Sequence, residues 1–145
     1  MRTPRRQVLL TFIALAAWTA ARPALAQTAQ PPKHKAVLQV SDNDAQKWNL
    51  ALNNARNMQD DLNADAIDLE IVVYGPGIGM LKADSPVAKR VADALKAGVQ
   101  VVACENTMRN QKLARTDMLP GIGYVDAGVV EIMKKQQQGW AYIRP

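Results

Sequence analysis

The one cysteine of this 145-residue sequence, Cys104, closes the apolar run Val99 to Ala103 and is followed at once by Glu105, Asn106, Thr107, Met108 and Arg109. A valine-rich run of that length reads as a buried strand, and the polar residues after it read as the start of a helix with Thr107 as its cap. The spacing predicts a thiol at the mouth of a strand-to-helix turn, on the edge where open α/β sheets bind their ligands. Backbone N–H groups of a first helical turn carry partial positive charge. A thiolate set against them is favoured over the thiol, so its pKa is expected to fall. Arg109 and Lys112 add positive charge, while Glu105 opposes them if it points inward. A thiolate of this kind is nucleophilic toward sulfane sulfur and carries it as a persulfide. The same N–H donors, with Asn106, Thr107 and Arg109, suit an oxyanion such as thiosulfate.

Two bland or rival readings stand beside that one. Cysteine packs like a small hydrophobe, so Cys104 can equally be an inert core residue of a non-catalytic oligomeric binding module. Alternatively, Met80 and Met108 are expected on the same edge of the sheet, and a thiolate with two thioethers suits Cu(I).

Other constellations exclude more than they support. Gly75, Gly77 and Gly79 form a glycine-rich turn after the second apolar run, and Met80 stands where a dinucleotide fingerprint needs a third glycine. No Gly-Lys-Ser/Thr completes a phosphate loop. The four residues are instead expected to shape one wall of a pocket beside Cys104. His34, the only histidine, falls in a Gln/Pro-rich lead-in, so no cysteine–histidine pair with a plausible base is evident. Asp42 and Asp44 are explained by helix capping. No metal centre and no organic cofactor are indicated.

The elements that must position the cysteine follow from periodicity. Strands are expected over residues 36–40, 66–74, 99–103, 124–125 and 140–143. Between the first two, Ala45, Trp48, Leu52, Ala55, Met58 and Leu62 recur at helical steps, with Trp48 as a core anchor. Ser85 with Pro86 marks a second helix start and Gly98 its end. A third helix is expected from Thr107 to Ala114, and a fourth begins at Asp126 as cap. Strands alternating with helices predict an α/β fold: a five-stranded, mainly parallel sheet in a three-layer α/β/α arrangement of flavodoxin-like appearance.

The first 26 residues read as an export signal, with Arg2, Arg5 and Arg6 ahead of an apolar run and Ala24-Leu25-Ala26 as the cleavage site. Arg5-Arg6 also fits a twin-arginine signal, so both export routes stay open. The expected mature chain is periplasmic, with a flexible lead-in over residues 27–35 and one domain over residues 36–145. Removing the four arginines of the signal leaves 14 of the 18 basic residues against all 13 acidic ones, a net charge of about +1. The high pI is thus a targeting feature and gives no support for nucleic-acid binding. No membrane association is expected after cleavage.

Two stretches carry a resemblance. Gly98-Val-Gln-Val-Val-Ala-Cys104-Glu-Asn-Thr-Met-Arg109 and the tail from Ala127-Gly-Val-Val-Glu-Ile-Met to Gly139-Trp-Ala-Tyr-Ile-Arg-Pro145, together with His34 to Val40, resemble the DsrE/DsrF-like family of sulfur-relay proteins. The resemblance covers nearly all of the expected mature chain. It implies a compact domain with a five-stranded parallel sheet, and homo-oligomers built on trimers or hexamers. It also implies a strand-end cysteine that accepts sulfur from small sulfur species or a carrier protein, the place Cys104 occupies. The export signal departs from the cytoplasmic setting of the best-known relay members.

Overall fold

Five short runs of β-branched and aliphatic residues pair in parallel, in the order β4-β3-β2-β1-β5. They are β1 (His34–Val40), β2 (Ile67–Val73), β3 (Gln100–Cys104), β4 (Gly123–Val125) and β5 (Ala141–Ile143). A computed structural model describes residues 32–145. The expected export signal over residues 1–26 and the start of the lead-in lie outside the described residues. The lead-in itself is shorter than expected, because His34 and Lys35 already pair with Ile67 and Asp68.

Four helices connect and cover the strands: α1 (Ala45–Leu62), α2 (Ala88–Lys96), α3 (Glu105–Asn110) and α4 (Gly128–Gln137). Asp44 caps α1 by accepting from the Gln46 N–H at 2.8 Å, as its place ahead of the periodic run predicts. Trp48 is buried, and its indole N–H donates to the Asp42 carbonyl at 2.7 Å. Gly98 ends the turn after α2 with a φ of +85°, a conformation open to glycine without strain. The Ser85–Pro86 pair starts a turn and not the helix. Ser85 accepts from the Val87 N–H, and α2 begins three residues later at Ala88.

The period-two alternation of the strands sorts side chains onto two unequal faces. Ala36, Leu38, Val40, Leu69, Ile71, Val73, Val101 and Ala103 point into the large core under α1 and α2. The other face holds Val37, Val72 and Val102 under Ile132 of α4, with Tyr74, Val125 and Trp140 at its margins. Glu70 and Cys104 lie in phase with Val72 and Val102, so both face α4.

The strand order explains why one helix serves the second face alone. β1, β2 and β3 step in one direction through α1 and α2. The chain then returns across the whole sheet from β4 to β5, and α4 makes that crossing on the opposite side. The layers match the expected α/β/α arrangement, whereas flavodoxin has the order 2-1-3-4-5. The reversal lies beside β1, so Cys104 at the end of β3 is not at the switch point itself. No helix among the described residues is long and apolar enough to cross a membrane.

Candidate functional site

Cys104 is the last residue of β3 and the N-cap of α3, with extended backbone angles of −77° and 114°. At an N-cap, a side-chain acceptor meets the N–H groups two and three positions on. Here those belong to Asn106 and Thr107, whose backbone N–H groups lie near enough to favour the thiolate, although neither makes a capping hydrogen bond to the sulfur. The helix thus starts two residues earlier than the expected Thr107 cap.

Thr107 has a different job. Its hydroxyl oxygen accepts the Gly75 N–H at 2.9 Å, and the hydroxyl is the side chain that most favours the Cys104 thiolate. A fourth donor comes from α4. Ala127 is the N-cap of that helix and offers no side-chain oxygen, and the Gly128 N–H is a further group that favours the thiolate. The expected Asp126 cap is not formed. The Asp126 carbonyl instead accepts the Asn106 N–H at 3.1 Å and lies 3.9 Å from the Cys104 sulfur.

Burial opposes ionisation of Cys104, which is only 5 % exposed. The Thr107 hydroxyl and the N–H groups of Gly128, Thr107 and Asn106 outweigh it, and they hold the thiol below its ordinary value. The charged side chains contribute less than their spacing predicts. Arg109 hydrogen-bonds the Asn106 side-chain oxygen on the exposed flank of α3. Glu105 is bound by Arg115, whose guanidinium also stacks over the Tyr124 ring at 4.2 Å. The acid that was expected to oppose the thiolate is therefore already paired.

Of the predicted pocket residues, only Gly75 reaches this site, through Thr107. Its φ of +56° turns its N–H toward α3, and its carbonyl accepts from Gln111 at 3.3 Å. Gly77 is a packing position, since a Cβ there would sit 2.8 Å from the Val40 carbonyl oxygen. Gly79 lies against the Trp48 ring. The run Gly75–Leu81 is a 3₁₀ helix whose Ile78, Met80 and Leu81 enter the core under α1 and α2. Met80 is fully buried and Met108 joins the same core, so the sheet separates both thioethers from the face that Cys104 addresses. The expected wall of Met80, and its role as a soft-metal ligand with Met108, are both corrected by that burial. Among the described residues no group of three or more His, Cys, Asp or Glu is placed to hold a metal. His34 opens β1 at the far edge of the sheet from Cys104.

Sequence reasoning missed Gly128 and Tyr74. Tyr74 follows β2 directly, and Val73 pairs with Ala103, so Tyr74 stands beside Cys104. A Cβ on Gly128 would lie 3.0 Å from the Tyr74 Cβ and Cδ1 atoms. Glycine is what lets the first turn of α4 come this close. Its signal was available as a glycine at a helix start, but the capping rule pointed to Asp126.

Comparison with solved structures finds a protein of unknown function, MTH1491 from Methanobacterium thermoautotrophicum, at 34% identity and a TM-score of 0.75, covering 78% of this chain and 100% of that one. A conserved protein of unknown function, BT1422 from Bacteroides thetaiotaomicron, shares the fold at 17% identity and a TM-score of 0.61, covering 77% of this chain and 94% of its own. No curated protein matches the chain. Residues 34–145, the whole sheet with its helices, match the family model of the DsrE/DsrF-like proteins, and the chain belongs to that family.

Proposed function

We propose that this protein is a periplasmic sulfur carrier in which Cys104 accepts sulfane sulfur and passes it on. Membership of the family points to sulfur relay in general. The observation that carries the specific reading is the place of Cys104, the last residue of β3 and the N-cap of α3 with the Asp126 carbonyl ahead of α4 at 3.9 Å, where the Thr107 hydroxyl and nearby backbone N–H groups lower the pKa of the thiol. In the loading step the Cys104 thiolate attacks the outer sulfur of a persulfide R–S–SH. The Cys104–sulfur bond forms, the donor S–S bond breaks and RS⁻ leaves. With thiosulfate the same attack releases sulfite and leaves a Cys104 persulfide anion. In the unloading step an acceptor thiolate takes the outer sulfur and Cys104 departs as a thiolate. The donors that lower its pKa favour that departure, because a thiol of lower pKa leaves faster. Neither step needs an organic cofactor or a metal. In this reading Asn106 and Thr107 act through their backbone amides, and Arg109 meets the incoming anion at the rim.

Intact-mass measurement of the mature protein after exposure to polysulfide or thiosulfate tests this reading. The expected result is one or more added sulfur atoms on the wild type and none on Cys104→Ser. An unmodified wild type, or an equal adduct on the serine variant, refutes it.

The low exposure of Cys104 favours a second reading, a homo-oligomeric binding module in which the thiol is structural. Oligomerisation is part of both readings. Val129, Val130 and Met133 on α4 and Tyr142 on β5 are exposed on one face of the sheet, and a second copy of the chain is the occupant proposed for them. Sedimentation velocity is expected to give a trimer or hexamer for the wild type and a smaller species for Val129→Asp with Met133→Asp. A wild-type monomer would refute the self-association. A thiol that resists labelling in the native protein and reacts only after denaturation would support the module over the carrier.

A further inference from the structure

The face of α4 turned to the sheet consists of Gly128, Ile132 and Lys135, at steps of four and three residues. Gly128 sits against Tyr74, Ile132 enters the small core and Lys135 reaches Glu70. The Lys135 ammonium lies 2.5 Å from Glu70 Oε2 and 3.7 Å from Glu131 Oε1, with the Trp140 ring 4.2 Å away on another side. Glu70 is 2 % exposed, and its Oε1 has no hydrogen-bond partner. Apolar contacts tolerate sliding along a helix axis, whereas a buried ion pair fixes one position; register setting is the best-attested use of such pairs. α4 runs antiparallel to the strands. Lys135 lies about 10 Å along it from Gly128, at a rise of ~1.5 Å per residue. Glu70 pairs with Gln100, four residues before Cys104 and about 13 Å away at ~3.3 Å per residue. The two spans match closely enough for one helix to rest on Glu70 and bring its first turn up to Cys104.

We infer that the Glu70–Lys135 pair is a positioning device, which sets the axial register of α4 and thereby seats the first turn of that helix, with Gly128 against Tyr74, beside Cys104. This rests on the sulfur-carrier reading only for its purpose; the placement of α4 can be read independently.

Hydrogen exchange resolved to the first turn of α4, combined with the pH profile of Cys104 alkylation by iodoacetamide, tests it in the full chain. In Glu70→Leu with Lys135→Met, Gly128 is expected to exchange about tenfold faster while β2 and β3 stay protected. The alkylation midpoint should then move to higher pH. Glu70→Asp keeps the charges but draws the carboxylate back by one methylene, and is expected to do the same even if the apolar pair fails to fold. Glu70→Gln still offers Lys135 an acceptor and should stay within about twofold of wild type. Unchanged Gly128 exchange in Glu70→Asp overturns the inference, as does a Glu70→Gln variant that loses protection as fully. If Gly128 responds as expected but the wild-type thiol titrates in the ordinary range, the register holds and the sulfur-carrier reading fails instead.

Discussion

Thr107→Val is expected to move the alkylation midpoint of Cys104 up by about one pH unit or more and to slow its reaction at neutral pH about three- to tenfold. The hydroxyl lost is the side-chain group that most favours the thiolate, and valine fills nearly the same space. A hydrogen bond to a charged group contributes about 1.5–3 kcal/mol. At ~1.4 kcal/mol per pKa unit, that corresponds to one to two units. The thiolate population below both midpoints then falls by about ten- to a hundredfold. A more basic thiolate is also a better nucleophile, with a Brønsted slope of about 0.4–0.5, which recovers roughly half of the loss on a logarithmic scale. The high-pH plateau should accordingly rise while the midpoint shifts. An unchanged midpoint would show that Thr107 does not donate to the sulfur. The same substitution orphans the Gly75 N–H, at a further cost of about 1–3 kcal/mol in stability. The linkage has a definite sign. A thiol held below its unfolded value stabilises the fold fully above that unfolded value, and the contribution disappears as pH falls through the folded one. The valine variant should show a narrower window.

Lys135→Met is expected to lower stability at neutral pH by about 3–5 kcal/mol, the range found when one partner of a buried ion pair is removed. Glu70 would then keep its carboxylate among Val37, Val72, Ile132 and Trp140 with Glu131 as its nearest charge. Burial already raises the Glu70 carboxyl above its usual range, against the hydrogen bond and charge of Lys135 that lower it. Removing Lys135 leaves burial and Glu131, both of which raise it further. A carboxyl raised in the folded state favours folding fully at pH below its unfolded value and loses that advantage as pH rises through the folded one. The deficit of Lys135→Met should therefore shrink on acidification. Adding Glu70→Gln should recover most of it at neutral pH. Urea unfolding of the two variants at pH 4.5 and 7.5 checks both statements. A deficit of under 1 kcal/mol at pH 7.5, or one that grows in acid, would contradict the assignment.

The layered fold was legible because each level of the sequence agrees. Strand runs such as Ile71-Val72-Val73 are uniformly apolar, the helical steps from Ala45 to Leu62 are regular, and Gly98 stands where a left-handed turn is needed. The position of Cys104 at a strand end was legible for the same reason. Its partners were less so. Sequence spacing is local, and three of the four groups that favour the thiolate could be anticipated only as neighbours along α3. The fourth, Gly128, arrives from 24 positions away because of the return crossing of α4, which periodicity does not encode. Met80 misled for a related reason. It follows a glycine turn at the correct edge, but a 3₁₀ segment rotates it into the core. Glu70 gave no signal, since one acid inside an apolar run is indistinguishable from an outward-facing residue until its face is known.

The sheet also acts as a partition. On its thick side, Leu38, Ile71 and Val101 meet two helices through shape alone, and drift in sequence there is a question of conserved volume. The thin side carries one aliphatic contact from Ile132, one ion pair and one glycine, so that polarity and the absence of a side chain count there as much as volume. Homologues that diverge freely beneath α1 and α2 while keeping Gly128, Lys135 and Glu70 would show selection acting on one surface of the sheet and sparing the other.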